Sequence, residues 1–202
     1  MRILVINGPN LDILGKREPE VYGTTTLWDI ENRLKEKYSK VKLEFYQSNS
    51  EGPIIDALHK ALDGSTDGVI LNPGAFTHYS YAIRDAAAAL KVPVIEVHLT
   101  NVHAREEFRR KSVIAPVCKG VIAGFGIRAY ELAIDFLLEQ NADSKIAAGA
   151  KAYMRNQFEF YGMKSALRRQ LFKQFLKENF FQCFTLWKTF QKILGELQAM
   201  RR

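Results

Sequence analysis

Cysteine is scarce in this chain: two among 202 residues, Cys118 and Cys183, far apart in sequence. That excludes a disulfide framework, and their isolation excludes a structural zinc site. Long apolar runs are missing as well, and none approaches the ~18 uninterrupted residues that span a bilayer. Met1–Asn7 passes straight into Gly8-Pro9 without a basic start or a small-residue cleavage site. No secretory signal is expected, and the cytoplasm is the expected compartment. What is present is a folding composition, with 47% hydrophobic, 11% aromatic and 25% charged residues. Wholesale disorder is excluded, and the length suits one domain plus an appendage.

Charge divides the chain. Residues 1–140 carry 17 Lys/Arg against 18 Asp/Glu, whereas residues 141–202 carry 12 against 4, a net of +8. The same tail holds 11 of the 23 aromatic residues. The basic character therefore belongs to residues 141–202 and says little about the part before them.

In the first 140 residues, apolar strand-like runs alternate with helical patterns. Met1–Asn7, Val41–Gln47, Asp67–Asn72, Val92–Val97 and Val117–Ala123 read as strands. Leu27 to Lys37, Glu51 to Leu62, His78 to Leu90 and Gly126 to Gln140 read as helices, the first with N-cap candidates in Thr24-Thr25-Thr26. This alternation predicts right-handed βαβ crossovers and a parallel sheet, hence an α/β fold with a flavodoxin-like, doubly wound, five-stranded sheet. Ligands of such sheets bind beyond the carboxyl ends of the strands, which directs attention to the residues after Asn7, Gln47, Leu71 and Val97.

Those ends are polar. After the first strand stand Asn10 and then Gly15-Lys16-Arg17, with Tyr22 five residues beyond Arg17. Asn72, Gly74 and His78 follow the third strand; Glu96-Val97-His98-Leu99-Thr100-Asn101, Arg105 and Arg109 mark the end of the fourth. A tyrosine, two histidines, amides, a hydroxyl and several arginines converge there, with no trio of metal ligands. The set suits a small, polyhydroxylated anion handled by acid–base chemistry without metal or cofactor. Gly124-x-Gly126 is no dinucleotide loop, because Ala129 holds the place of the third glycine and the motif follows the last strand.

Three stretches, INGPNLDILGKREPEVYG, LNPGAFTHYSYAIRDA and EVHLTNVHAREEFR, closely resemble the signatures of type II 3-dehydroquinate dehydratases, in order and across the whole predicted sheet. The resemblance implies a flavodoxin-like subunit of a dodecamer built from trimers. It implies loss of water from 3-dehydroquinate to give 3-dehydroshikimate through an enolate, with neither metal nor covalent intermediate. By the same resemblance Tyr22 is the general base at C2, and Arg17 stabilises its tyrosinate. Asn10 holds the water that serves the enolate oxygen. His98 is the acid that protonates the departing C1 hydroxyl, and Glu96 supports it. Asn72, Gly74, His78, Leu99, Thr100 and Arg109 match the substrate-binding groups, and Asp85 matches a residue delivered from a neighbouring subunit. Ser50, Asp12 and Ala129 depart from the commoner family residues at positions without an assigned role. A non-catalytic flavodoxin-like binding or scaffold protein, acting through its tail, is the alternative.

The resemblance stops near Gln140. Asn141-Ala142-Asp143-Ser144 reads as a polar break, Gly162 as a second, and Ser165–Lys177 and Phe180–Met200 have helical apolar spacing. Residues 1–140 are accordingly read as the catalytic domain and residues 141–202 as a basic, helical extension. Its expected partners are its own subunits or an anionic membrane surface. No recognised nucleic-acid motif is present, so nucleic acid is not an expected partner.

Overall fold

The computed structural model describes residues 1–16 and 24–160, with residues 146–160 as backbone only. Five strands, β1 (Arg2–Asn7), β2 (Lys42–Gln47), β3 (Gly68–Asn72), β4 (Val94–His98) and β5 (Gly120–Ala123), make one all-parallel sheet in the order β2-β1-β3-β4-β5. Four helices are described: α1 (Leu27–Lys37), α2 (Glu51–Lys60), α3 (Tyr81–Ala88) and α4 (Arg128–Phe160). The order is that of the flavodoxin-like sheet, in which the chain reverses direction across the sheet between β1 and β3.

Side-chain alternation along the strands decides the layers. Ile3 and Val5 of β1 join Ile70, Ile95 and Val97 on one face, where they pack on Ile30 and Leu34 of α1 and Tyr130, Ile134 and Leu137 of α4. Leu4 and Ile6 point the other way with Val69, Leu71 and Val94, against Ile54 and Leu58 of α2 and Ile83 of α3. Every residue of β3 and β4 is buried, as expected of central strands of a parallel sheet covered on both faces.

Local chemistry sets the helix boundaries. The Thr26 hydroxyl accepts from the Asp29 amide, and the Asp29 carboxylate accepts from the Thr26 amide, a closed capping box at the start of α1. Glu131 of α4 accepts from Arg33 Nε at 2.9 Å and Lys37 Nζ at 2.7 Å, tying α1 to α4. The Lys37 bond, foremost, lowers the Glu131 pKa.

Several boundaries differ from the sequence expectation. α3 starts at Tyr81 rather than His78, because Gly74–His78 form a 3-10 turn and the Ser80 hydroxyl caps the helix by accepting from the Ile83 amide. α2 ends at Lys60, and its expected last turn is a 3-10 segment, Ala61–Asp63. β5 begins at Gly120, since Pro116 places Ala115–Val117 in a 3-10 turn. The last helix starts at Arg128 and continues through the expected break at residues 141–144 to Phe160. That segment contains no Gly or Pro, and Asn, Asp and Ser cost only up to ~0.7 kcal/mol each in a helix interior. The chain divides into two compact units, Met1–Asn141 and Ala142–Arg202. Gly162 and the helical patterns beyond it lie outside the described residues.

Candidate active site

The carboxyl ends of β1 and β3 meet backbone to backbone. The Gly8 amide donates to the Asn72 carbonyl at 2.7 Å, and a Cβ on Gly8 would stand 2.5 Å from the Pro73 oxygen, so only glycine permits this approach. Gly74 answers it with a φ of +55°, against Pro9. Above this floor opens a cleft lined by Pro9, Asn10, Leu11, Leu14, Asn72, Gly74, Ala75, His78, His98, Leu99, Thr100, Val102, Arg105 and Arg109. Eight residues singled out from sequence, Asn10, Asn72, Gly74, His78, His98, Leu99, Thr100 and Arg109, therefore share one wall-to-wall site. Glu96 lies directly behind His98. Asp85 stands exposed on α3 and is not among the cleft residues of its own chain. Arg17 and Tyr22 lie outside the described residues; before them Leu14 lines the cleft, and a Cβ on Gly15 would stand 2.7 Å from the Thr24 carbonyl oxygen.

Each wall is fixed from behind. Asn10 holds a left-handed conformation, φ 66°, and its amide donates to Asn49 Oδ1 at 2.8 Å. Asn49 in turn donates to Asp12 and accepts from Gln47, so the end of β2 supports the loop after β1. Asn72 donates through Nδ2 to the Tyr130 hydroxyl at 2.8 Å, and Tyr130 donates to Asn7 Oδ1 at 2.6 Å. Tyr130 is wholly buried, and burial pushes its phenol pKa far above the usual value, so it stays a neutral hydroxyl. His78 Nδ1 lies 2.8 Å from the Lys111 carbonyl. A carbonyl only accepts, so Nδ1 carries the proton and Nε2 is the other ring nitrogen of that tautomer.

A carboxylate–imidazole pair lies on β4. His98 Nε2 and Glu96 Oε1 are 2.6 Å apart, two residues along one strand and hence on one face. Glu96 has no exposed surface and His98 retains 8%. At the cleft mouth, Arg109 Nε donates to Glu106 Oε2 at 2.8 Å, and its guanidinium lies over the Phe108 ring. The Arg109 bond, with a backbone bond in second place, pulls the Glu106 carboxyl down to about 2. Arg105 reaches toward the Thr100 hydroxyl at 3.5 Å.

Sequence reasoning missed the supporting residues Asn7, Asn49 and Tyr130, and also Thr77 and Ser112, whose hydroxyls lie 2.6 and 3.0 Å from the two Glu96 carboxylate oxygens. Asn7 and Asn49 bracket strand ends, which was a usable signal. Tyr130 sits in an apolar helical pattern, where nothing but the fold shows what its hydroxyl meets. Among the described residues no group of three or more His, Cys, Asp or Glu could hold a metal, and no helix is long and apolar enough to cross a membrane.

Residues 1–138 match the family model described as dehydroquinase class II. The chain belongs to this family. A 3-dehydroquinate dehydratase of Bacillus licheniformis is 60% identical over 141 residues, which cover 69% of this chain and 97% of the relative. One from Halalkalibacterium halodurans is 62% identical over 140 residues, 68% of this chain and 95% of the relative. Among solved structures, the type II dehydroquinase of Butyrivibrio crossotus superposes with a TM-score of 0.66 at 52% identity, over 68% of this chain and 97% of that one. A separate match, over residues 134–196, is to a model described as DNA alkylation repair enzyme. The tail left unplaced by sequence reasoning thus has a likeness of its own, covering less than a third of the chain.

The dehydroquinase fold explains the strength of the wall behind Asn72. Tyr130→Phe leaves Asn7 Oδ1 and one Asn72 N–H buried without a partner, each worth roughly 1–3 kcal/mol. Urea unfolding should show that loss. An unchanged midpoint would mean the two amides find other partners.

Proposed function

We propose that this chain is a 3-dehydroquinate dehydratase, a hydro-lyase of the shikimate pathway, with His98 as its acid and Tyr22 as its base. The observation that carries the reading is the His98–Glu96 pair, at 2.6 Å, opening onto a cleft walled by amides, a second histidine and two arginines. The buried carboxylate orients the imidazole, and His98 gives its proton to the C1 hydroxyl as that group departs. Tyr22, with Arg17 beside it in the same motif, takes the C2 proton. The ketone next to C2 receives the electron pair as an enolate, and Asn10 holds the water that serves the enolate oxygen. Expulsion of the C1 hydroxyl, protonated by His98, then forms the C1–C2 double bond. One proton enters the enzyme at Tyr22 and one leaves from His98, so the balance is one water released. Asn72, Gly74, His78, Leu99, Thr100 and Arg109 hold the ring hydroxyls and carboxylate, and the exposed Asp85 serves the cleft of a neighbouring subunit in a trimer. Four such trimers form the dodecamer, in the cytoplasm. Adding 3-dehydroquinate to the protein should produce the growing absorbance of a conjugated enone. Its absence would favour the non-catalytic, scaffold reading.

The division of labour follows the two parts of the chain. Residues 1–140 catalyse, and the basic extension from residue 141 binds a polyanion. Its net charge of +8 and the likeness of residues 134–196 to a DNA alkylation repair enzyme favour duplex DNA over an anionic membrane surface. The curated relatives are complete within the length matched by the first part, which supports its independence. A chain ending at Asp143 should keep most of its turnover and lose salt-dependent retention on duplex DNA. Truncation that destroys activity would move the boundary, and retention that survives truncation would remove the tail's role.

A further inference from the structure

Resting on the reading of His98 as the acid, we infer that Thr77 and Ser112 are positioning residues that hold Glu96 as a pure acceptor, put the resting proton of His98 on Nε2, and so make Nδ1 the nitrogen that protonates the leaving hydroxyl. Two stretches of chain meet behind β4. Thr77 comes from the 3-10 turn after β3, Ser112 from the segment that follows Arg109, and the two are joined by a bond from the Val113 amide to the Thr77 carbonyl at 2.8 Å.

Counting protons gives the network its direction. The Ser112 hydroxyl oxygen accepts from the Ile114 amide at 3.1 Å and the Ala115 amide at 2.8 Å. Both of its lone pairs are then engaged, and Ser112 has only its own proton to offer. Thr77 Oγ1 lies 2.7 Å away but finds no acceptor there, so its proton goes to Glu96 Oε1 at 2.6 Å. The Ser112 proton points at Glu96 Oε2, 3.0 Å away, or at Thr77; in both cases the bonds run from backbone amides toward Glu96. A protonated Glu96 would find no acceptor for its proton at Thr77 or Ser112, whereas a carboxylate accepts from every donor aimed at it. His98 Nε2, 2.6 Å from Oε1, is therefore the third donor. Nδ1 has no partner among the described residues and belongs to the side chain that lines the cleft. In the catalytic step the imidazolium gives its Nδ1 proton to the C1 oxygen as that C–O bond breaks, and the neutral ring keeps Nε2–H on Glu96.

The segment Lys111-Ser112 thus fixes both histidines of the cleft, His78 through a carbonyl and His98 through a hydroxyl and a carboxylate. Neither Thr77 nor Ser112 is among the residues lining the cleft, so each acts through Glu96.

The test is the tautomer itself. Full-length protein labelled with 15N in its histidines should show, in long-range 15N–1H correlation spectra above the His98 pKa, an Nε2–H ring that disappears in His98→Ala. Ser112→Ala and Thr77→Val should convert that signal to a mixture of tautomers and lower kcat about tenfold or more, the factor of one lost bond to a charged acceptor, with KM little changed. Thr77→Ser, which keeps the hydroxyl, should restore the tautomer and most of the rate. An Nδ1–H ring in the unmodified protein overturns the inference whether or not the variants fold. Variants with the original spectrum and rate overturn it as well. If the spectrum is as expected but 3-dehydroquinate is not converted, the network stands and the catalytic reading fails.

Discussion

His98→Ala is expected to lower kcat by roughly 10²–10⁴-fold, the range of a lost general acid. The reason is positional. His98 ends a fully buried strand, with a carboxylate of no exposed surface at 2.6 Å behind it and the cleft in front. The ring therefore stands between the carboxylate that orients it and the space where a departing oxygen would lie. Alanine removes the donor and leaves Glu96 to its two hydroxyls, so KM should change far less than kcat. A steady-state comparison decides it, and a variant within tenfold of the original in kcat removes His98 from the role of acid.

Tyr22→Phe should have an effect of the same order, roughly 10²–10⁴ in kcat, because it removes the only atom able to take the C2 proton in this scheme. A free tyrosine has a pKa of about 10, so tyrosinate is scarce at neutral pH without a cation beside it. Each unit of depression corresponds to about 1.4 kcal/mol of preference for the anion, a sum within reach of a desolvated guanidinium. In the proposed scheme Arg17 is that cation, and Arg17→Lys should also be severely slowed, since an ammonium does not reproduce the planar fork. Exchange of the substrate's C2 hydrogen with deuterated solvent separates the two steps. It should vanish in Tyr22→Phe and persist in His98→Ala, where enolate forms but water is not expelled. Persistence in Tyr22→Phe would assign the base elsewhere.

The sheet was legible because its signal is redundant. Apolar strand runs, helical spacing and turn residues all agree along residues 1–140, and strands alternating with helices imply right-handed crossovers and a parallel sheet. The cleft was legible for the same reason: polar residues placed after Asn7, Leu71 and Val97 have only the carboxyl edge to occupy. The pattern could not deliver Thr77, Ser112 and Tyr130. Each is a common residue in an unremarkable setting, and its meaning lies in a partner 16 to 123 positions away in the chain. Boundaries failed where a single turn competed with a helix, as at Gly74–His78, or where polar residues were read as a break that the backbone does not make, as at residues 141–144.

The complete burial of β3 and β4 has a consequence for how the site breathes. Backbone at the centre of a parallel sheet is released only when the whole domain opens, whereas single-turn segments at its rim open by themselves and far more often. Glu96 and His98 belong to the first kind of backbone. Asn10, Gly74, His78 and Arg109 sit on or beside short 3-10 turns, the second kind. In the proposed reaction the grip on the ring can therefore loosen and re-form without loosening the proton donor. A product is let go by the rim while the acid keeps its aim.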